Sequence, residues 1–252
     1  MLLAIDVGNT NTVIGLFNND KLVHSWRINT NSRQTADEIE LTFNGLLGET
    51  VVTGIALCST VPSVLSEMRV MLSRYYPTVP TVIVEPGIKT GVPIQTDNPK
   101  EVGADRIVNS LAAFTLFGGP CIVVDFGTST NLDVVSAKGE FLGGALAPGI
   151  EISLDALASR AAQLRKVELT SPRNVIGKNT VEALQSGMIF GFAGQVDGLV
   201  DRIIDELGTD VTAVIATGGL APIVVAVSET ITHHEPNLTL MGLNLVFARN
   251  QS

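Results

Sequence analysis

The chain opens with LAIDVGNTNTVIGLF at residues 3–17, where two apolar runs flank an acid, a glycine and several small polar residues. This pattern predicts a strand, a tight turn and a second strand. A turn at Gly8 would expose backbone N–H groups to a phosphate, and Asp6 at the strand end would hold a hydrated Mg²⁺ beside it. When the stretch is considered alone, an ordinary hairpin is the simpler interpretation.

The same pattern returns in IVVDFGTSTNL at residues 122–132. Asp125 follows Asp6 by 119 residues, close to half of the 252-residue chain, and the glycines and the next turns align without a gap. Chance rarely preserves strand, turn, strand, turn and strand in the same order. The repeat therefore predicts two similar halves, each with an acid and a Gly/Thr turn, that would hold one polyphosphate across a cleft.

The composition predicts a folded protein with a large core. The chain is 45% hydrophobic with a mean hydropathy of +0.35, and its length suits two domains of ordinary size. Helix breakers at Gly118, Gly119 and Pro120 precede the second copy of the repeat. We therefore predict domains at residues 1–117 and 118–252.

The charge of the chain argues against one class of partner. A net charge of −9 and a pI near 4.8 do not suit a nucleic-acid surface, which needs clustered Lys and Arg. The first residues lack the basic start of a signal sequence and the length of a membrane span, so we expect a cytoplasmic protein without membrane contact. Cys58 and Cys121 lie in apolar runs typical of buried free thiols, and the three histidines lack metal-binding spacing.

Strands alternate with helices after a three-strand meander, which predicts an α/β protein whose mixed sheets are covered by helices. After the opening hairpin, strand patterns occur at residues 21–28, 51–58, 79–84, 121–125, 132–135, 140–147 and 211–216. Helical patterns occur at residues 35–47, 62–76, 107–117, 150–165, 180–207 and 238–248. Thr35 and Glu38 predict a capping box at the start of the first helix.

The two copies are separated by DNPKEVGADR at residues 97–106. Asn98 suits a helix cap, Pro99 suits the first helical position, and Glu101 would complete a capping box. A helix that starts at this point therefore explains these three residues without any functional role.

Gly103, Asp105 and Arg106 are not explained by a helix start, because a glycine inside a helix costs about 1 kcal/mol. A glycine at this position would let a substrate lie against the backbone. Asp105 would then accept a hydroxyl proton, and Arg106 would bind an anion. A solvent-exposed acid–base pair is the alternative interpretation.

Two nucleotide-binding motifs are rejected. Residues 177–180 read GKNT, like the end of a P-loop, but Pro172 replaces the upstream glycine and Asn179 follows the lysine. Asn179 and Glu182 instead predict a capped helix start beside Thr180. The G-x-G-x-x-G spacing is missing after both predicted strands, so dinucleotide binding is unsupported.

The paired Asp-x-Gly turns and the TGG at residues 217–219 resemble motifs of the acetate and sugar kinase/Hsc70/actin superfamily. Within it, the chain resembles type III pantothenate kinases nearly end to end. The resemblance implies duplicated actin-like (ribonuclease H-like) domains, each a mixed sheet that opens with a three-strand meander and is flanked by helices. The motifs that carry it are DVGNT at 6–10, Trp26-Arg27, DNPKEVGADR at 97–106, DFGT at 125–128, GG at 143–144, APG at 147–149, GKNT at 177–180, ATGG at 216–219 and LTLMGL at 238–243.

The resemblance implies ATP-dependent phosphorylation of pantothenate to 4′-phosphopantothenate, the first step of coenzyme A biosynthesis, by a homodimer. It also implies Mg²⁺ near Asp6, a monovalent cation (K⁺ or NH₄⁺) at Asp125, and Asp105 as the catalytic proton acceptor. The implied ATP-binding residues are Asp6, Val7, Gly8, Asn9, Thr10, Asn11, Thr12, Val13 and Thr128. The implied substrate-binding residues are Gly103, Ala104, Asp105, Arg106 and Thr180.

The chain departs from the family pattern at two places. Thr96 stands where many members have an aromatic residue, often Tyr, and residues 127–133 read GTSTNLD where GTATTFD is frequent. Two alternative functions stay open: a kinase for another small hydroxy acid, and a non-catalytic nucleotide-binding regulatory protein. The presence of Asp105 argues against the second, because a protein without turnover would not need that acid.

Overall fold

The two opening strands form as the sequence predicts. A computed structural model describes residues 1–160 and 167–251 of the chain. In it, β1 (Leu2–Val7) pairs antiparallel with β2 (Asn11–Asn18), and residues 8–10 form the turn between them.

The other elements follow in nearly the predicted order, with a short helix and a two-residue strand added near the end of the chain. The strands are β3 (Lys21–Asn29), β4 (Gly54–Ser59), β5 (Thr81–Ile83), β6 (Cys121–Phe126), β7 (Ser129–Val135), β8 (Phe141–Pro148), β9 (Ala213–Thr217) and β10 (His233–His234). The helices are α1 (Ala36–Leu47), α2 (Pro62–Tyr75), α3 (Ala104–Phe117), α4 (Ile150–Arg160), α5 (Thr180–Leu207), α6 (Ala221–Val225) and α7 (Leu238–Arg249). The end of the helix predicted at residues 150–165 lies outside the described residues.

Within the described residues, the strands form two five-stranded sheets with the same internal order. The first sheet has the order β3-β2-β1-β4-β5 and the second has the order β8-β7-β6-β9-β10. In both, the central strand pairs antiparallel with the next strand along the chain and parallel with a later one. The duplicated α/β fold predicted from the repeated Asp-x-Gly stretch is confirmed.

The chain divides into two compact units. The first contains residues 1–92, 97–112 and the chain from residue 237 onward, and the second contains residues 93–96 and 113–236. Helix α7 therefore belongs to the first unit although it ends the chain. The domain boundary after residue 117 stays a prediction.

The first sheet has a different cover on each face. One face packs on α1 and α2 through a cluster that includes Ile5, Val7, Phe43 and Met71. The other face carries α7 so closely that a Cβ added at Gly54 would lie 2.2 Å from the Phe247 ring. Because side chains alternate along a strand, Asp6 projects to this second face.

The turns of the two copies differ in length by one residue. Asp6 is opposite Val13, seven residues later, whereas Asp125 is opposite Asn131, six residues later. The gapless alignment is therefore wrong inside this turn. The turn between β7 and β8 is longer than the turn between β2 and β3. The third strands of the two copies, β3 and β8, are therefore again related by 119 residues.

One predicted capping box is confirmed and the other is wrong. At α1, Glu38 N donates to Thr35 Oγ1 (3.4 Å), and Thr35 N donates to Glu38 Oε2 (2.8 Å). At Asn98 the side-chain amide instead donates to Glu101 Oε1 (2.6 Å), and residues Pro99–Glu101 form a single 3-10 turn. The extended backbone of Val102 ends that turn, so the helix begins only at α3.

The cysteine prediction is confirmed, since Cys58 and Cys121 are both buried free thiols. Across residues 1–160 and 167–251, no helix has the length and apolar character needed to cross a membrane.

Candidate active site

Asp6 lies near the end of β1 on the face of the first sheet that carries α7. Its direct partner on the parallel strand β4 is Cys58, whose Sγ donates to Asp6 Oδ1 (3.3 Å). Burial raises the pKa of Asp6 to about 7, and the neighbouring Asp105 carboxylate adds to the rise. The Cys58 hydrogen bond and the positive charge of Arg27 act in the opposite direction.

Asp105 lies in the first turn of α3 and is electrostatically coupled to Asp6. Burial raises the pKa of the Asp105 carboxyl, while the hydrogen bond from Arg106 N to Asp105 Oδ1 (2.9 Å) and the charge of Arg106 oppose the rise. Two interacting carboxylates that are both partly withdrawn from water disfavour full ionisation. The neutral form of Asp6 is therefore favoured more than in an ordinary exposed aspartate, and carboxyl groups with such raised pKa values are typical of functional sites.

Gly103 leaves room for the Asp105 carboxylate. A Cβ added at Gly103 would lie only 2.5 Å from Asp105 Oδ1. Gly103 precedes α3, and its carbonyl accepts a hydrogen bond from Ile107 N (3.3 Å). The prediction that Gly103 lies inside a helix and costs stability there is therefore wrong, because this glycine precedes α3.

The turn between β1 and β2 is held by hydrogen bonds on both sides. Gly8 N donates to Asn11 O (3.0 Å), Thr30 Oγ1 donates to Gly8 O (2.7 Å), and Thr30 N donates to Thr10 O (2.9 Å). Thr12 Oγ1 lies 2.9 Å from Thr30 Oγ1 and extends this network. Sequence reasoning missed Thr30, because only the pairing of β2 with β3 brings it beside the turn.

The second unit has an equivalent turn after β6. A Cβ added at Gly218, where φ is +93°, would lie 2.7 Å from Asp125 Oδ1 and 2.5 Å from Phe126 O. On the other side, Gly149 N donates to Thr128 O (3.1 Å). Two glycines therefore allow neighbouring segments to approach Asp125 and Thr128 closely.

Thr180 is the first residue of α5 and is exposed. The predicted cap is confirmed, since Glu182 N donates to Asn179 Oδ1 (2.9 Å). The Glu182 carboxylate bonds to Lys178 N (3.0 Å) and to Arg173 Nε (2.7 Å). These contacts order the residues that precede the helix.

The described side chains around Asp6 do not form a complete metal site by themselves. In the described ranges, no group of three or more His, Cys, Asp and Glu side chains gathers as a metal site. Mg²⁺ commonly takes one or two carboxylates, with water and substrate phosphates as its other ligands. Asp6 has a carboxylate of the type that Mg²⁺ uses in this way.

Comparison with known proteins identifies the family. The family model for type III pantothenate kinase matches residues 2–202 of the chain. The chain belongs to the type III pantothenate kinase family. The type III pantothenate kinases of Salinispora arenicola and Frankia alni are 68% and 70% identical to it, and the alignments cover 99% of this chain and 100% of each relative. The one from Streptomyces coelicolor is 60% identical, with coverage of 100% and 99%.

Solved structures of low sequence identity share the fold of this pantothenate kinase family member. A ROK hexokinase from Thermus thermophilus has a TM-score of 0.54 at 15% identity, covering 100% of this chain and 99% of that one. A ROK family glucokinase from Streptomyces griseus, solved with glucose and AMPPNP, has a TM-score of 0.54 at 11% identity, with coverage of 98% and 99%. A Campylobacter jejuni protein assigned to the Baf family of transcriptional activators has a TM-score of 0.61 at 18% identity, with coverage of 99% and 98%.

Proposed function

We propose that this chain transfers the terminal phosphoryl group of ATP to the hydroxyl of pantothenate, giving ADP and 4′-phosphopantothenate for coenzyme A biosynthesis. The observation that carries the proposal is the interacting pair of half-buried carboxylates, Asp6 and Asp105, in a chain that belongs to the type III pantothenate kinase family. Phosphoryl transfer depends on positioning reactants and neutralising charge, so few catalytic groups are needed.

Asp105 is the proposed catalytic residue and accepts the proton of the attacking hydroxyl. Its raised pKa makes it a better proton acceptor than an ordinary solvent-exposed carboxylate. The bond from Arg106 N to Oδ1 and the missing Cβ of Gly103 support one orientation of this carboxylate.

The ATP phosphates are proposed to bind at residues 6–13, and Thr128 is proposed as a further ATP contact. The exposed Asn9 and Thr10 in the turn after β1 support this, because such a turn presents backbone N–H groups to an anion. Asp6 would hold Mg²⁺, which neutralises phosphate charge when it is bound.

Pantothenate is proposed to bind along Gly103, Ala104, Asp105 and Arg106, with Thr180 as another contact. Its carboxylate would pair with the Arg106 guanidinium, which suits bidentate recognition of planar anions. Thr96 stands where many family members have an aromatic residue, and its buried Oγ1 lacks a hydrogen-bond partner among the described residues.

Asp125 is proposed to hold a monovalent cation, K⁺ or NH₄⁺. The close approach of Gly218 to Asp125 Oδ1 supports a small, carboxylate-lined site at the end of β6. A cation bound there would offset part of the triphosphate charge in a protein of net charge −9.

We further propose a cytoplasmic homodimer. Unpaired thiols at Cys58 and Cys121 suit a reducing compartment. Apolar side chains of the second unit that stay exposed, such as Leu146 (68%) and Ile176 (72%), support contact with a second copy.

ADP release tests the function. The purified chain is assayed with MgATP, with and without pantothenate, in K⁺ and in Na⁺ buffer. We expect turnover that needs pantothenate and is faster in K⁺. Asp105→Asn should lower kcat by about 10²- to 10⁴-fold and keep ATP binding, while Asp20→Asn, an exposed carboxylate of the same unit, should keep full activity. ATP binding without turnover would favour a regulatory protein, and turnover only with another hydroxy acid would favour a different kinase.

A further inference from the structure

Arg27 has no assigned role, although Trp26-Arg27 is one of the motifs shared with the family. It lies near the end of β3, at the edge of the first sheet, and its side chain is exposed. Within the part of the chain that the structure describes, its guanidinium forms no hydrogen bond or ion pair. An arginine in this state is available to an anionic ligand.

The strand register aligns Arg27 with Asp6. Arg27 is opposite Val13 on β2, and Val13 is opposite Asp6 on β1. Directly opposed residues project from the same face of a sheet, so the three side chains form one row on the face of the sheet shared with Asp6. Neighbouring strands are about 4.8 Å apart. The backbones of Arg27 and Asp6 are therefore separated by about 10 Å, a gap that an arginine, a phosphate and a carboxylate can fill.

A triphosphate bound on this face of the sheet would need a positively charged side chain in addition to Arg106. Asp6 and Asp105 would both repel a triphosphate at the neighbouring turn, and the strand register places Arg27 in the same row as Asp6. Arg106 is adjacent to Asp105 and is already proposed to pair with the substrate carboxylate. Arg27 is the cation that lies in line with residues 6–13.

We propose that the Arg27 guanidinium binds the phosphate groups of ATP beside the turn at Gly8. A guanidinium offers paired N–H donors in a planar fork, which matches two phosphate oxygens and keeps its charge at any pH of interest. The inference rests on the proposed function and gives Arg27 a role in positioning the nucleotide. In the strand order β3-β2-β1-β4, Arg27 on β3 and Cys58 on β4 lie on opposite sides of Asp6.

Three variants test this inference: Arg27→Gln, Arg27→Lys and Lys21→Gln. Lys21 is an exposed cation at the other end of the same strand and serves as the control. For Arg27→Gln we expect kcat/KM for ATP to fall by about 10- to 100-fold, with KM for pantothenate unchanged at saturating ATP. Arg27→Lys should recover part of the loss, because lysine keeps the charge but not the fork. Lys21→Gln should match the wild type.

Titration calorimetry with MgATP gives a readout that does not need turnover. Arg27→Gln should weaken ATP binding, and thermal melting should show that the fold is kept. Unchanged ATP binding and kinetics would overturn the inference, as would a loss confined to pantothenate. If the wild type binds ATP but does not turn over pantothenate, the proposed function fails, and the calorimetric comparison still decides the role of Arg27.

Discussion

At the residue scale, the position of the Asp105 carboxylate depends on the absence of a Cβ at Gly103. A Cβ at position 103 would fall 2.5 Å from Asp105 Oδ1, a distance that real contacts do not reach. Gly103→Ala should therefore move the carboxylate and lower kcat by about 10- to 100-fold, since small misplacements of a catalytic group are costly. Steady-state kinetics with melting curves measure this.

Gly45→Ala is the matched control for that change. A Cβ added at Gly45 in α1 meets nothing within 4 Å, so activity should stay unchanged. Stability should rise by about 0.5–1 kcal/mol, because alanine is favoured over glycine inside a helix. Equal kinetic losses in both variants would contradict a specific role for Gly103.

The Asp6 carboxyl links stability to pH. Its folded-state pKa of about 7 exceeds the ordinary 3.8, so the folded protein binds more protons than the unfolded chain between these pH values. Wild-type stability should fall as pH rises from about 4 to 7. Asp6→Asn removes this cost, and its advantage should grow from near zero at pH 4 to on the order of 2–4 kcal/mol above pH 7.

Urea denaturation of both proteins at several pH values, with EDTA and without nucleotide, measures this difference. The same variant should lose kinase activity, because it removes the proposed Mg²⁺ ligand. If the stability difference between Asp6→Asn and the wild type is the same at pH 5 and at pH 8, the raised pKa of Asp6 is contradicted.

At the element scale, Asp197 on α5 anchors the segment before β10. Its carboxylate accepts hydrogen bonds from Ser228 Oγ (2.6 Å), Thr230 Oγ1 (2.7 Å), Glu229 N (3.1 Å) and Thr230 N (3.2 Å). Partial burial favours the neutral acid, but these hydrogen bonds outweigh it and hold the pKa of Asp197 below its ordinary value. Sequence patterns did not reveal this contact, because Asp197 and the segment before β10 are about thirty residues apart in the chain.

Asp197→Ala should destabilise the protein by about 1–3 kcal/mol at neutral pH, because it leaves several partly buried donors without an acceptor. A lowered folded-state pKa adds stability above the unfolded-state pKa, and this stability is lost as pH falls through the folded-state value. The difference from wild type should therefore shrink in strong acid. Asp201→Ala, one helical turn further at an exposed position, should stay within about 0.5 kcal/mol of wild type in the same denaturation series.

At the scale of the whole molecule, the proposed dimer predicts a mass twice the 26.6 kDa of the chain in light scattering after gel filtration. Leu146→Glu, on the exposed side of β8, should shift the protein toward the monomer, because a charge opposes burial of that surface. Leu41→Glu changes an equally exposed leucine of the first unit (72% against 68%) and should leave the mass unchanged. A wild-type monomer would contradict the proposal.

Local signals in the sequence were sufficient for the repeat, the α/β fold, most helix and strand positions, and the motifs that resemble those of the family. They sufficed because apolar periodicity, glycine turns and capping residues act over a few neighbouring positions. The start of α3 and the length of the turn after β6 were missed, because single backbone conformations such as that of Val102 decide them.

Contacts between distant segments depended on tertiary structure. The pairing of β1 with β4 joins Asp6 to Cys58, and the start of α3 brings Asp105 near Asp6. The pairing of β2 with β3 brings Thr30 beside the turn at Gly8 and places Arg27 in one row with Asp6. Each of these contacts depends on how distant strands pair or on which side chains pack together, and no short stretch of sequence encodes either. Burial and charge coupling arise only when such segments pack together, and they change an ordinary aspartate into one with a pKa near 7.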